Sequence, residues 1–235
     1  MLKQIPNILT LSNLTCGLLG IIQVFTGDVT MAFWFMLAAG VFDFFDGFAA
    51  RLLGVSGELG KQLDSLADGL TFGVLPGFIW WHYLNTLGHC STQGFCINKY
   101  VFLAIPLAAV YRLAVFNIDT RQTKDFIGTP TPISGLAIAS AVFLFSGDSA
   151  IGNWIGSQTY AMIFIPFIFA YFMTCDLPMI SFKLSKGDKS VPFVLAFLIL
   201  SILTISLFYR EAGFIIFILY IVISQISHYF VSKHE

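Results

Sequence analysis

Charge is what this chain has least of. Charged residues make up 11% of its 235 positions and hydrophobic residues 57%, whereas a soluble domain carries about 25% charged. So few charges cannot coat a globule in water, which excludes an ordinary soluble domain. A bilayer faces apolar side chains without penalty and accounts for both deviations. Short alternating segments are lacking too, and with them the pattern of a transmembrane barrel. No Cys and His spacing has the form of a zinc site. No low-complexity linker or internal repeat divides the chain, so a single integral-membrane domain over 1–235 is expected. Cysteine is sparse: Cys90 and Cys96 share one predicted external loop, as either a disulfide or two unpaired thiols. Cys16 and Cys175 fall inside apolar runs as small packing residues. His82, His89, His228 and His234 fall at run ends or in loops, in interfacial or solvated roles.

What is present is a series of long apolar runs near the roughly 20 residues needed to cross a bilayer. Eight are read, at 8–27, 30–50, 61–84, 99–118, 132–147, 159–176, 190–208 and 213–231. The expectation is an all-α, polytopic helix bundle with about eight transmembrane helices. The first run carries Asn7, Asn13 and Thr15 and lacks a small-residue cleavage site, so it is read as retained. Lys and Arg concentrate on the cytoplasmic side of membrane proteins. With the N-terminus inside, Lys3, Arg51, Lys61, Arg112, Arg121, Lys124, Lys183, Lys186, Lys189 and Lys233 all fall in or near inner loops, and Lys99 and Arg210 outside. Both termini are then cytoplasmic.

Against this apolar background four acids stand out. Asp43, Asp46, Asp64 and Asp68 lie at or near the inner ends of the second and third runs. A charge at a helix centre costs about 2.5–3.5 kcal/mol, so four placed deeply would cost on the order of 10 kcal/mol. Asp43 and Asp46 are three apart and Asp64 and Asp68 four apart, so each pair projects from one helix face. The turn formers between them, Gly54, Ser56 and Gly57, let the third helix return antiparallel, so that the pairs face each other. Pairing with Arg51 and Lys61 would satisfy two acids but hardly four. Four close carboxylates repel unless protonated or neutralised by cations, and hard divalent ions take oxygen ligands together with substrate phosphates. A metal site is therefore the stronger reading. Gly47, Ala49, Ala50 and Gly60 serve helix packing or leave room for a nucleotide, and Arg51 suits a diphosphate.

Written out, Asp43-Phe44-Phe45-Asp46-Gly47-Phe48-Ala49-Ala50-Arg51, eight residues, Gly60, three residues, Asp64, three residues, Asp68 resembles the signature of the CDP-alcohol phosphatidyltransferases, D-x2-D-G-x2-A-R-x8-G-x3-D-x3-D, at every fixed position. The resemblance implies a centre of two divalent ions, Mg²⁺ or Mn²⁺, on Asp43, Asp46, Asp64 and Asp68, with Asp68 also the general base toward the acceptor hydroxyl. It implies a CDP site lined by Gly47, Ala50, Arg51 and Gly60. The segment Pro6-Asn7-Ile8-Leu9-Thr10-Leu11-Ser12-Asn13 is similar to the helix entry of that family. Asn7, Thr10 and Asn13, spaced three apart, share a face toward the nucleotide, or Asn7 or Thr10 simply caps the helix.

Tyr111-Arg112-Leu113-Ala114-Val115-Phe116-Asn117 and Gly128-Thr129-Pro130-Thr131-Pro132 resemble segments of the serine-using, membrane-embedded branch of the same family, phosphatidylserine synthases, in which R-L-A-R-F-N and G-L-P-T-P are usual. Here Val115 and Thr129 depart from that pattern. The resemblance implies transfer of a phosphatidyl group from CDP-diacylglycerol to L-serine, giving phosphatidylserine and CMP. Arg112 suits the serine carboxylate, with Asn117, Arg121, Thr129 and Thr131 as further acceptor residues; otherwise Arg112 marks the inner membrane boundary. Glycerol 3-phosphate or inositol phosphate is the alternative acceptor. A homodimer in a bacterial or archaeal cell membrane, with the site facing the cytoplasm, membrane lipids as neighbours and no nucleic-acid partner, completes what is implied. A cation-coupled transporter would instead place acids near helix midpoints in two matching halves, and here all four fall in one half.

Overall fold

The structure is a computed structural model and describes residues 4–55, 57–87, 97–119, 126–147, 149–180 and 190–232. The described residues are almost wholly helical. Helix α1 (Ile5–Thr26) starts with Pro6 in its first turn, where a missing N–H costs nothing, and ends at Gly27. Helix α2 (Val29–Leu53) is capped by Asp28, whose carboxylate accepts from the Met31 N–H at 2.8 Å. It stops at Gly54, whose φ of 62° is the left-handed conformation that glycine adopts without penalty.

The chain then turns back as α3 (Glu58–Asp68). Gly40 lies against the Phe72 ring and Asp43 against Asp64 and Asp68, so α3 runs antiparallel to α2 as its turn formers imply. It does not continue as a regular helix. Residues Gly69–Val74 form a π-helical turn before α4 (Leu75–Thr86) begins. Three close approaches hold that turn: a Cβ on Gly17 of α1 would overlap the Thr71 hydroxyl, one on Gly73 would come within 2.8 Å of Ala109, and one on Gly135 would overlap the Phe72 carbonyl. Small residues let membrane helices approach at backbone distance, and here they converge beside Asp68.

A 3₁₀ turn (Ile97–Leu103) leads into α5 (Ala104–Ile118), followed by α6 (Thr131–Ser146), the short α7 (Ala150–Gly156) and α8 (Thr159–Thr174). The core comprises Phe72, Trp80, Ile105, Ile138, Met162 and Phe169. Its aromatics satisfy their polar ends, Trp80 donating to the Met162 carbonyl at 3.3 Å and Tyr83 to that of Phe145 at 3.2 Å. Two residues of β1 (Phe126–Ile127) pair antiparallel with β2 (Pro178–Met179).

Helices α9 (Val191–Phe208) and α10 (Ala212–Ser232) fold back on one another at Tyr209, whose φ is 46°. Phe193 stacks near Phe230, with ring centroids 6.2 Å apart, and Phe197 near Tyr220 at 5.5 Å. Large apolar side chains such as Ile8, Phe44, Leu66, Leu107 and Ile199 are exposed on the outer faces of these helices. Lipid is the solvent that such an exterior requires, and the protein is a membrane protein.

All eight apolar runs are largely helical, yet among the described residues four helical stretches are long and apolar enough to span by themselves: Ile5–Thr26, Val29–Leu53, Tyr100–Ile118 and Val191–Val231. The pair Thr131–Ser146 and Ala150–Gly156, bent by 105°, makes a fifth if it is taken as one span. The count of eight is thus not reached on length and composition. The 61–84 run is divided by its acids and the π turn. Helix α8 has 16 residues, about 24 Å at 1.5 Å each, against a hydrocarbon core of about 30 Å. The fourth stretch is the α9–α10 hairpin, two of the expected helices. Between the fifth and sixth runs lies α7, whose cap Ser149 accepts from the Gly152 N–H at 3.3 Å.

Candidate metal and substrate site

Asp43 and Asp46 stand on the C-terminal half of α2, Asp64 and Asp68 on the last turns of α3. A carboxylate oxygen from each of Asp43, Asp64 and Asp68 lies within 4.8 Å of the others. Asp68 is buried, at 7% exposure, while Asp43 and Asp64 are half-buried. Like charges this close in a low-dielectric setting repel strongly. Lys61 donates to the Asn117 carbonyl at 2.7 Å and Arg112 to the Thr131 hydroxyl at 3.1 Å. All the donors are hard carboxylate oxygens, the set that Mg²⁺ and Mn²⁺ take, so the residues present fit a divalent ion.

Asp46 is buried and turned toward α1, where the Thr10 hydroxyl reaches it at 2.6 Å. Thr10 also lies 3.0 Å from the Pro6 carbonyl. Its single proton favours the shorter, charge-assisted bond to Asp46. Asn13 is fully buried and donates its Nδ2 to Asp68 at 3.1 Å, and its Oδ1 has no hydrogen-bond partner among the described residues. The shared face of Asn7, Thr10 and Asn13 thus meets the carboxylates with two of its three members. Asn7 donates instead to Gln4 Oε1 at 3.0 Å, and its Oδ1 lies 3.6 Å from where a Cβ on Gly60 would stand. None of the three caps α1, whose cap position is Gln4.

Of the other nucleotide-side candidates, Ala50 is half-buried, one helical turn along α2 from Asp46. Arg51 is exposed, and its Nη1 lies 3.5 Å from where a Cβ on Gly47 would stand, an ordinary contact distance. On the acceptor side, Arg112 of α5 is 8% exposed, donates Nη1 to Thr131 Oγ1 at 3.1 Å and has a buried Nε without a partner among the described residues. It lies within electrostatic reach of Asp68. Thr129 is fully buried, its hydroxyl paired with that of Ser134 at 2.8 Å. Asn117 is turned to α3, donating to Ser65 Oγ at 2.8 Å, so it ties two helices together and does not join the Arg112 group. Arg121, Cys90, Cys96 and the basic positions Lys183, Lys186 and Lys189 lie outside the described residues, while Cys16 and Cys175 are free thiols.

Sequence reasoning passed over Ser134, Ser65 and Tyr220. Ser134 carried a usable signal, being a polar side chain in an apolar run four residues from Arg112's partner loop at Pro130. Tyr220 carried none, because its approach to Arg112 crosses over a hundred residues of chain.

A membrane-embedded helical bundle with a cluster of metal-type carboxylates beside a buried arginine defines the class. Residues 3–172 match the family model of the CDP-alcohol phosphatidyltransferases, and the chain belongs to that family of phosphotransferases. It is 33% identical over 146 residues to the CDP-diacylglycerol–serine O-phosphatidyltransferase of Bacillus subtilis, covering 62% of this chain and 78% of that one. It is 32% identical over 141 residues to the enzyme of the same name from Helicobacter pylori, covering 59% and 57%. The archaetidylserine synthase of Methanothermobacter thermautotrophicus is 33% identical over 139 residues, covering 58% and 56%. The chain thus spans a little over half the length of the latter two.

Proposed function

We propose that this protein transfers the phosphatidyl group of CDP-diacylglycerol to L-serine, releasing phosphatidylserine and CMP. The observation that carries the reading is the convergence of the Asp43, Asp64 and Asp68 oxygens, with a buried arginine in electrostatic reach of Asp68 whose Nε has no partner among the described residues. The relatives' names, which specify serine in bacterial and archaeal enzymes, support it.

Asp43, Asp46, Asp64 and Asp68 hold two divalent ions, which when bound neutralise the diphosphate and polarise the phosphorus under attack. Gly47, Ala50, Arg51, Gly60 and Asn7 line the space for the CDP moiety, Arg51 supplying positive charge at the diphosphate. Arg112 takes the serine carboxylate through its free Nε edge, with Thr129 and Thr131 shaping the pocket wall. Asp68 accepts the proton of the serine hydroxyl as that oxygen bonds to the phosphatidyl phosphorus. The phosphorus–oxygen bond to CMP breaks in the same displacement, and the electron pair leaves with CMP. Thr10 and Asn13 face Asp46 and Asp68 from the far side and orient them. The whole chain acts as one domain, as a homodimer with its site on the cytoplasmic face of a bacterial or archaeal cell membrane.

An acceptor panel tests the reading. Purified protein with Mg²⁺ or Mn²⁺ and CDP-diacylglycerol should release CMP with L-serine and not with glycerol 3-phosphate or inositol phosphate. Release with either of those and none with serine would refute the acceptor and leave the transfer chemistry standing.

A further inference from the structure

The family match ends at Phe172, yet the last helix of the chain is packed against the acceptor side of the site. Three side chains of α10 grip residues 178–180. The Tyr220 hydroxyl donates to the Ile180 carbonyl at 3.1 Å, the Ser224 hydroxyl accepts from the Ile180 N–H at 3.2 Å, and the Gln225 amide donates to the Pro178 carbonyl at 3.1 Å. That segment pairs with Phe126–Ile127, Ile127 opposite Pro178. Directly after the pair, the Gly128 N–H donates to the Leu177 carbonyl and the Thr129 N–H to the Phe172 carbonyl, both at 2.9 Å. There is no slack here, because a Cβ on Gly128, where φ is 71°, would come within 2.8 Å of the Met173 carbonyl oxygen. Two residues past Thr129 stands Thr131, whose hydroxyl receives Arg112 Nη1.

Hydrogen bonds and backbone pairing thus run unbroken from α10 to the guanidinium. Tyr220 is 1% exposed and lies within electrostatic reach of Arg112 itself. A buried tyrosine hydroxyl removed from its acceptor leaves that carbonyl unsatisfied. Fixing one Nη on Thr131 leaves the Nε edge of Arg112 presented in one orientation, as bidentate capture of a carboxylate requires. We propose that Tyr220 is a positioning residue of the acceptor site, holding residues 178–180 against β1 so that Thr131 sets the Arg112 fork for the acceptor's carboxylate. The proposal rests on Arg112 as the carboxylate-binding group.

Steady-state kinetics of the full-length protein in lipid–detergent micelles separates the two. Tyr220→Phe should raise the serine KM about 5- to 10-fold, the loss expected of one buried hydrogen bond, with kcat and the CDP-diacylglycerol KM nearly unchanged. Ser224→Ala should act in the same direction and Ser224→Thr, which keeps the hydroxyl, should restore the value; this pair gives the same readout if Tyr220→Phe does not fold. Arg112→Lys tests the underlying reading. A serine KM left unchanged by Arg112→Lys overturns that reading and the proposal with it. A serine KM raised by Arg112→Lys but unchanged by Tyr220→Phe and Ser224→Ala overturns the role of α10 alone. A uniform loss in kcat and both KM values in the α10 variants, with a lowered melting temperature, also overturns it, since that is a general packing effect.

Discussion

Single side chains here divide into those that meet the metal-type cluster and those that aim them. Asp68 belongs to the first group, and Asp68→Asn, which keeps shape but removes the charge and basicity, should lower kcat by about 10²-fold or more; CMP release at saturating substrate checks it. Thr10 and Asn13 belong to the second. Their bonds of 2.6 and 3.1 Å to Asp46 and Asp68 are the kind of outer-layer contact whose loss costs roughly 10–100-fold in metal affinity. Thr10→Val and Asn13→Ala should therefore raise the Mn²⁺ concentration for half-maximal activity by that factor. Direct Mn²⁺ binding followed by paramagnetic resonance should weaken in parallel, and unchanged binding would assign these residues to the nucleotide instead. The acids were legible in the sequence because spacings of three and four place them on shared helix faces. The partners of Thr10 and Asn13 were not, since a helical face can be read from one segment but the helix it meets cannot.

Elements carry the site through close packing. Asp68 sits at the junction of α3 and the π turn Gly69–Val74, and α1, α5 and α6 press on that turn through Gly17, Ala109 and Gly135. A methyl at Gly135 would overlap the Phe72 carbonyl, so Gly135→Ala must shift backbone against backbone, at a cost of about 1–3 kcal/mol. Gly40→Ala is the control, its Cβ meeting only the Phe72 ring edge at 3.8 Å. The first variant should lower the melting temperature by several degrees and reduce turnover by displacing Asp68, and the second should do neither. An equal effect of both on melting and turnover would remove the π turn from the account. The apolar run at 61–84 announced helix, yet a π turn has no compositional mark beyond its glycines and was read as part of one rod. The two-residue strands β1 and β2 are shorter than any periodic pattern, so the link from α10 to Thr131 emerges only in three dimensions.

For the whole molecule the question is which side of the membrane the site faces. Arg51 and Lys61 flank the carboxylates at one end of the α2–α3 pair. Arg210 lies at the other, its guanidinium 4.9 Å from the Phe143 ring centre and bonded to Thr30 at 3.3 Å. Thr30 lies in the first turn of α2 and Asp46 is about 24 Å further along it at 1.5 Å per residue, so the two groups stand at opposite ends of a span. If basic residues mark the inner side, Glu58 is cytoplasmic and Glu211 external. In a variant with Cys16, Cys90, Cys96 and Cys175 replaced, a cysteine at 58 should be protected from a membrane-impermeant maleimide in intact cells and react after lysis. A cysteine at 211 should react in both states. The reverse pattern would put the carboxylates outside, away from a nucleotide-linked lipid made in the cytoplasm, and would overturn the proposed orientation while leaving the cluster's geometry intact.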